Sequence, residues 1–440
     1  MKYQLFCRFF AAFLKKSLNF DIICGTINFK MKWVNSQRVM KGIVMITNKP
    51  NIRVYRVAQF LSDIIAKTIF RRKYIRNEIK NAKGPMVIVC NHQAALDFTT
   101  LIGATKEVQT FVVSDSFYQT LPFKKGMDKI CVIPKQQFQT SIKEIALMRK
   151  AVKQDGILTF YPAGLMCEDG LSTPIPDSTY AFLRWLNADV YAARVYGTYF
   201  CTPKWSKKIR PGRTFIDIHK IIDQQELREI TVEQIQEKID SALLFDAYRE
   251  QEKLKIKYFN GNNIEGLENV LYICPHCKKE YTLKVKNKHT IYCTECGFAH
   301  KSDRYGFLHN VGKTPKELRY VSDWSLWIQE TIKEQIEKGE LTDLSAKAKI
   351  QTIDQKKHKY TTVGYANIKL TPEKFIIDGP INCKRVHLEI PTIQFASLPF
   401  KPGYQIEIQH NKVSYRCILD DGKLAMKFVD MLEVYYKMRK

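Results

Sequence analysis

The chain reads as a multidomain protein: an α/β domain with a mixed sheet and surrounding helices, a small four-cysteine ribbon, and a C-terminal β-barrel with a terminal helix. Three observations predict this. From Gly84 to about Ile222, short apolar runs alternate with helical periodicity, the pattern of strands interleaved with helices. Two Cys-x-x-Cys pairs are separated by 15 residues. Beyond residue 355, short alternating runs are divided by Asp378-Gly379-Pro380, Lys401-Pro402-Gly403 and Asp420-Asp421-Gly422, which punctuate as turns. At 440 residues the length suits two to four domains, each with its own core.

Residues 1–50 form a basic amphipathic segment. Leu5, Phe6, Phe9, Phe10, Phe13 and Leu14 recur at helical spacing, with Arg8, Lys15 and Lys16 opposite. Residues 52–72 repeat the arrangement: Val57, Phe60, Leu61, Ile64, Ile65 and Ile69 share a face flanked by Arg53, Arg56, Lys67, Arg71 and Arg72. The first 90 residues hold 18 Lys and Arg against Asp21, Asp63 and Glu78, so +15 of the formal +26 falls there. Such a field attracts an anionic polymer or an anionic membrane surface. Apolar stripes bounded by cations suit helices lying in a bilayer interface; packing of both stripes on the protein's own core is the alternative. No uncharged apolar run reaches 18 residues, so no spanning helix is expected, nor a secretory signal. Met31, Met40 and Met45 are alternative initiators.

The α/β domain is expected at 51–255. Strands are predicted at 86–90, 108–114, 130–134, 157–161, 190–196 and 214–219. A helix from Ser141 to Gln154 begins with a Ser141/Glu144 capping box, a second runs over Ser178–Leu186, and 223–255 is charged and helical. The first strand leads into its most informative feature, Cys90-Asn91-His92-Gln93-Ala94-Ala95-Leu96-Asp97-Phe98. A buried strand ending at Asn91-His92 brings an imidazole to the edge of a core. Asp97, five positions on, can fold back to orient it. Such a pair removes a proton from a hydroxyl. Cys90, inside the apolar strand, reads as a buried inert thiol rather than a nucleophile.

This His-x4-Asp spacing resembles that of the glycerolipid acyltransferase family, the lysophosphatidate and glycerol-phosphate acyltransferases. Later segments follow the family's order over roughly residues 52–250. Gly126 precedes Ile130-Cys131-Val132-Ile133-Pro134-Lys135, with Lys135 where the family carries Arg. Tyr161-Pro162-Ala163-Gly164 stands for Phe-Pro-Glu-Gly, with Ala163 replacing an acid that organises the acceptor pocket. Val190-Tyr191-Ala192-Ala193-Arg194-Val195 lacks the family's proline. Glu168 or Asp169 is a candidate substitute for the missing acid. The resemblance implies catalytic His92 and Asp97 and a substrate site at Lys135, Tyr161, Pro162, Gly164 and Arg194. It implies transfer of an acyl group from acyl-CoA or acyl carrier protein to a lysophospholipid or glycerol-phosphate acceptor in phospholipid biosynthesis. Backbone N–H groups around Ala163 and Gly164 are candidate oxyanion donors. Lys204, Lys207, Lys208, Arg210 and Arg213 either line a phosphate-binding mouth or form a solvated surface loop.

After the joint Asn260-Gly261-Asn262-Asn263, the module at 268–310 carries Cys274, Cys277, Cys293 and Cys296. Two knuckles joined by a hairpin (Tyr281–Val285 and Thr290–Tyr292) converge four thiolates on one structural Zn2+. His276, His289 and His300 are surplus to that set. The other eight cysteines (Cys7, Cys24, Cys90, Cys131, Cys167, Cys201, Cys383 and Cys417) are scattered, as buried thiols of a reducing compartment are. A helical connector with Trp324 and Trp327 is expected at 311–350. Six or seven strands and a helix bearing Leu424, Phe428, Met431, Leu432 and Tyr435 follow at 355–440, resembling a PH-like barrel.

The leading expectation is a cytoplasmic O-acyltransferase bound peripherally to the inner face of a membrane. Two others stay open: an altered acyltransferase fold acting as a lipid-binding scaffold, and a zinc-ribbon nucleic-acid binder using Lys278, Lys279, Lys284, Lys286, Lys288 and Tyr281. Nucleic acid is the disfavoured partner, since lysine-rich hairpins also coat bilayers.

Overall fold

The computed structural model describes residues 50–120, 124–130, 132–137, 141–313 and 317–439. The helical stripe expected within residues 1–20 lies outside them. The first described helix, α1 (Ile52–Thr68), starts at Asn51, whose side chain accepts from the Val54 N–H at 3.2 Å. Its apolar stripe divides. Leu61 is buried and Ile65 and Ile69 pack on the core, whereas Ile52, Phe60 and Ile64 are 54%, 63% and 43% exposed. Adjacent positions lie about 100° apart around a helix, so rows 61/65 and 60/64 face different surroundings.

The α/β domain continues through β1 (Lys73–Asn77), β2 (Met86–Cys90), α2 (Asp97–Leu101), β3 (Gln109–Ser114) and β4 (Ile133–Lys135). It then runs through α3 (Ile142–Lys153), β5 (Ile157–Phe160), α4 (Ser178–Leu186), β6 (Asp189–Tyr196), β7 (Phe215–Ile222), α5 (Val232–Leu243) and α6 (Ala247–Leu254). One mixed sheet results, in the order β1-β7-β6-β2-β5-β3-β4. Only β6 and β7 run antiparallel; the other neighbours are parallel. Central β2 is buried at every residue, as a strand covered on both faces must be. Edge strand β1 is missing from the sequence reading because Lys73, Arg76 and Asn77 dilute its apolar signal. The expected capping box on α3 does not form: Ser141 makes no side-chain cap bond, and Glu144 accepts instead from the Gln136 N–H at 3.3 Å.

The ribbon is a four-stranded antiparallel sheet of β8 (Leu283–Lys286), β9 (Thr290–Cys293), β10 (Ala299–Ser302) and β11 (Leu308–Asn310). After α7 (Val321–Glu337) comes a second seven-stranded sheet. Its strands are β12 (Leu344–Asp354), β13 (Lys359–Leu370), β14 (Lys374–Ile381), β15 (Lys384–Pro391), β16 (Phe400–Lys401), β17 (Gln405–His410) and β18 (Val413–Leu419), closed off by α8 (Leu424–Met438). The sheet therefore begins within the stretch read as a connector. Its order, β15-β14-β13-β12-β18-β17-β16, leaves β15 and β16 as edges, which corrects the expected closed barrel. Strand β16 is two residues long, too short to bridge the gap, and α8 covers the opening with buried Phe428, Met431 and Leu432. Of the described cysteines outside the ribbon, Cys383 is exposed, contrary to expectation.

The modules share one apolar core, running from Phe70, Tyr199 and Trp205 through Cys274, Phe298 and Trp324 to Phe375 and Phe428. The joint at 260–263 is packed rather than loose. Arg210, 2% exposed, donates to the carbonyls of Gly261 and Asn263 and stacks over Trp205. A Cβ on Gly261 would lie 2.4 Å from the Arg304 carbonyl oxygen, so only glycine fits there.

Candidate active site

Strands β2 and β5 are parallel neighbours, paired from Met86↔Ile157 to Val89↔Phe160. Their carboxyl ends consequently deliver Asn91-His92 and Tyr161-Pro162 to one edge of the sheet, where parallel sheets place their ligands. Asn91 anchors the first of these turns. Its amide donates to the Val195 carbonyl at 2.9 Å and accepts from the Val195 N–H at 2.8 Å, extending the ladder between β2 and β6 by one side chain.

His92 Nδ1 lies 3.0 Å from Asp97 Oδ2. The same oxygen accepts from the backbone N–H groups of Gln93 and Ala94 at 2.8 and 2.9 Å, and Asp97 is fully buried. Three donors converging on one oxygen fix the carboxylate's position, and through it the plane of the imidazole. The Tyr161 ring stacks on that imidazole, centroids 4.2 Å apart and planes at 25°. Burial drives the Tyr161 hydroxyl pKa well above the usual phenol range, with Cys90 and Asp97 adding to the rise. The Cys90 thiol is likewise pushed well up by burial, then by Asp97, so it stays protonated and unreactive.

The cleft beside His92 has a cavity volume of about 10 Å³, about the space of one water. His92, Pro162 and Ala163 line it, facing an apolar wall of Leu165, Ile175, Leu243, Leu244 and Phe245. Ser172 and Thr173 add hydroxyls. Apart from Leu165, that second wall comes from the loop after Gly170 and the end of α5. No local motif marks it, and the sequence reading missed it.

Other residues singled out from the sequence stand elsewhere. Gly164, at φ +69°, closes a turn in which its N–H donates to the Tyr161 carbonyl at 3.0 Å. Lys135 is outside the cleft lining; its ammonium donates to the Gln136 carbonyl at 3.1 Å, and burial lowers its pKa while Glu144 opposes the fall. Arg194 is also outside the lining, binding the Glu250 carboxylate at 2.7 Å and the Ala242 carbonyl at 3.1 Å. It thereby ties β6 to α5 and α6. Glu168 pairs with Lys204 at 3.3 Å and does not line the cleft, so it does not replace the acid absent at Ala163. Lys204 and Arg210 are engaged inside the fold, which corrects their reading as part of a phosphate mouth.

In the ribbon the four Sγ atoms of Cys274, Cys277, Cys293 and Cys296 lie within 4.8 Å of one another. Two of the separations are 3.6 Å (Cys274–Cys296) and 3.7 Å (Cys277–Cys293). Four sulfurs about 2.3 Å from a central ion stand roughly 3.8 Å apart in a tetrahedron, so this set can hold one metal ion with no position left open. His300 is core: fully buried, stacked on Phe298, and accepting from the Leu318 N–H.

No curated protein matches the chain. Among solved structures, a 1-acyl-sn-glycerophosphate acyltransferase from Thermotoga maritima covers 57% of this chain and 95% of its own, at 14% identity and a TM-score of 0.37. Residues 71–191, from the entry to β1 into the start of β6 and including both His92 and Asp97, match the model of the acyltransferase family.

Proposed function

We propose that the chain transfers a fatty acyl group from acyl-CoA or acyl carrier protein to the hydroxyl of a lysophospholipid or glycerol-phosphate acceptor. The observation that carries this is the His92–Asp97 pair, held by the Gln93 and Ala94 N–H groups within the segment that matches the acyltransferase family. Asp97 takes the Nδ1 side of the ring, which leaves Nε2 for substrate. That nitrogen accepts the acceptor's hydroxyl proton as the oxygen attacks the thioester carbonyl. The C–S bond then breaks, and the departing thiolate takes the proton back from His92. With the Gly164 N–H spent on Tyr161, the Ala163 N–H is the remaining oxyanion donor of that turn.

The reaction takes place at an anionic membrane surface on the cytoplasmic side. Exposed Ile52, Phe60 and Ile64 on α1, beside exposed Arg53, Lys67 and Arg71, supply an apolar face with cations for lipid phosphates. No helix among the described residues is long and apolar enough to cross a membrane. The ribbon holds a structural Zn2+, which contributes folding energy and no chemistry. The open C-terminal sheet serves docking, as PH-like folds do.

The test is transfer of labelled acyl groups from acyl-CoA and acyl carrier protein onto a lysolipid panel with anionic liposomes present. Transfer lost in His92→Ala, with folding intact, supports the reading. Liposome binding without turnover favours the scaffold, and near-native turnover in His92→Ala removes His92 from the chemistry.

A further inference from the structure

His92 stands between two buried amides, Asn91 and Gln93, which are 5% and 1% exposed. Both reach the segment that leaves β6, as side chains two apart along a strand direction do. Asn91 takes the Val195 backbone, and Gln93 takes the turn that follows. Its Oε1 accepts from the Tyr199 N–H and from Thr198 Oγ1, each at 3.3 Å. Thr198 and Tyr199 open the short helical turn Thr198–Cys201 and are fully buried, so the donors that hold the amide are themselves fixed.

The backbone of Gln93 is engaged as well. Its N–H donates to Asp97 Oδ2 at 2.8 Å, and its carbonyl accepts from the Cys167 thiol at 3.6 Å. The Cys167 N–H in turn donates to the His92 carbonyl at 3.3 Å. An unbroken run of hydrogen bonds thus leads from Thr198 and Tyr199 through Gln93 and Asp97 to the imidazole of His92. The other end of the amide contributes less. Gln93 Nε2 is turned toward the Glu250 carboxylate but closes no hydrogen bond among the described residues. An unpaired buried donor is destabilising, so the value of this side chain lies in its acceptor oxygen.

We propose that Gln93 is a positioning residue for acyl transfer: its side-chain oxygen, held by Thr198 and Tyr199, fixes the peptide that binds Asp97 and so sets the imidazole of His92. The inference rests on the acyl-transfer reading. Gln93 does not line the cleft and acts through Asp97. Its partners Thr198 and Tyr199 lie beyond the residues 71–191 that match the acyltransferase family, so the catalytic turn is braced from outside that segment.

The experiment uses the full chain and measures kcat, KM and the thermal midpoint. It also follows the downfield proton resonance of the imidazole N–H facing Asp97, assigned by its absence in His92→Ala. Gln93→Met keeps most of the volume and removes the acceptor. Its kcat should fall about 10²-fold, the cost of a small misplacement of a catalytic group, with acceptor KM unchanged and the resonance broadened or lost. Thr198→Val removes one of the two donors and should lower kcat by a few-fold alone, but no further in the Gln93→Met background. Tyr199→Phe is the control. It removes the hydroxyl that donates to the Glu168 carbonyl at 3.3 Å and keeps the N–H on Gln93, so the thermal midpoint should fall while kcat and the resonance hold. Native kcat with an unchanged resonance in Gln93→Met overturns the proposal, as does a Thr198→Val loss that adds in full to that of Gln93→Met. Should the wild-type chain transfer no acyl group, the function proposed above fails, and the resonance alone decides whether Gln93 holds the pair.

Discussion

The ring of Tyr161 stacks on the imidazole of His92, 4.2 Å between centroids with the planes 25° apart, because β2 and β5 end side by side in register. The tyrosine's hydroxyl is buried and has no hydrogen-bond partner among the described residues. Ring and hydroxyl should therefore separate on mutation. Tyr161→Phe keeps the stack and removes an unpaired buried hydroxyl, whose burial costs about 1–3 kcal/mol. Turnover should stay within a few-fold of native, and the midpoint in urea should hold or rise. Tyr161→Ala removes the packing and should destabilise by about 3–5 kcal/mol with loss of turnover.

Asp97→Asn tests the orientation of His92 without opening a hole. The amide oxygen can still accept from Gln93 and Ala94, but the charge facing Nδ1 is gone. Correct placement and protonation of a general base contributes about 10²–10⁴ in rate, so kcat should fall by that order. Acceptor KM and thermal midpoint should change little. A variant retaining more than about a tenth of native kcat would separate Asp97 from the chemistry.

Local spacing made the His92–Asp97 pair and the four cysteines legible, because four and two intervening positions confine the chain enough to dictate the contact. The features that escaped depend on partners far away in the chain. Arg210 looks like part of a surface run, yet its carbonyl partners sit at 261 and 263. Glu168 and Asp169 looked available to the cleft, yet their partners are Lys204 and Ser325, 36 and 156 positions on. Strand β1 was invisible because its pairing with β7 is carried by the backbone, not by an apolar pattern.

The buried role of Arg210 predicts a stability phenotype. Burial lowers its pKa to about 10, a measure of how little water reaches the guanidinium. Arg210→Ala leaves the Gly261 and Asn263 carbonyls without their donor and should destabilise by about 3–5 kcal/mol. Acceptor KM should be unchanged in whatever fraction remains folded. A raised KM at native stability would restore Arg210 to a substrate site.

Metal removal should propagate beyond the ribbon. Cys274, Phe298 and Trp324 belong to the same core as Phe375 and Phe428, and Trp324 donates to the Ile273 carbonyl beside the first cysteine at 3.1 Å. Stripping the ion with a strong chelator, checked by metal analysis, should lower the thermal midpoint of the C-terminal half along with that of the ribbon. A half-molecule that melts unchanged would show the ribbon to be independent.

Asp169 gives stability its own pH dependence. An ordinary aspartate has a pKa of 3.8, and burial first, then Glu168, raises this one to about 7. Between these values the folded chain binds a proton that the unfolded chain has released. Stability is therefore highest below about pH 4 as far as this group is concerned, falls as the pH rises toward 7, and levels off above it. The full difference corresponds to roughly 4 kcal/mol. Asp169→Asn cannot ionise, so its urea midpoint should fall less than the native midpoint between those two pH values, and the variant should be the more stable protein at pH 8. Equal slopes for the two proteins would mean that Asp169 is already charged in the folded chain.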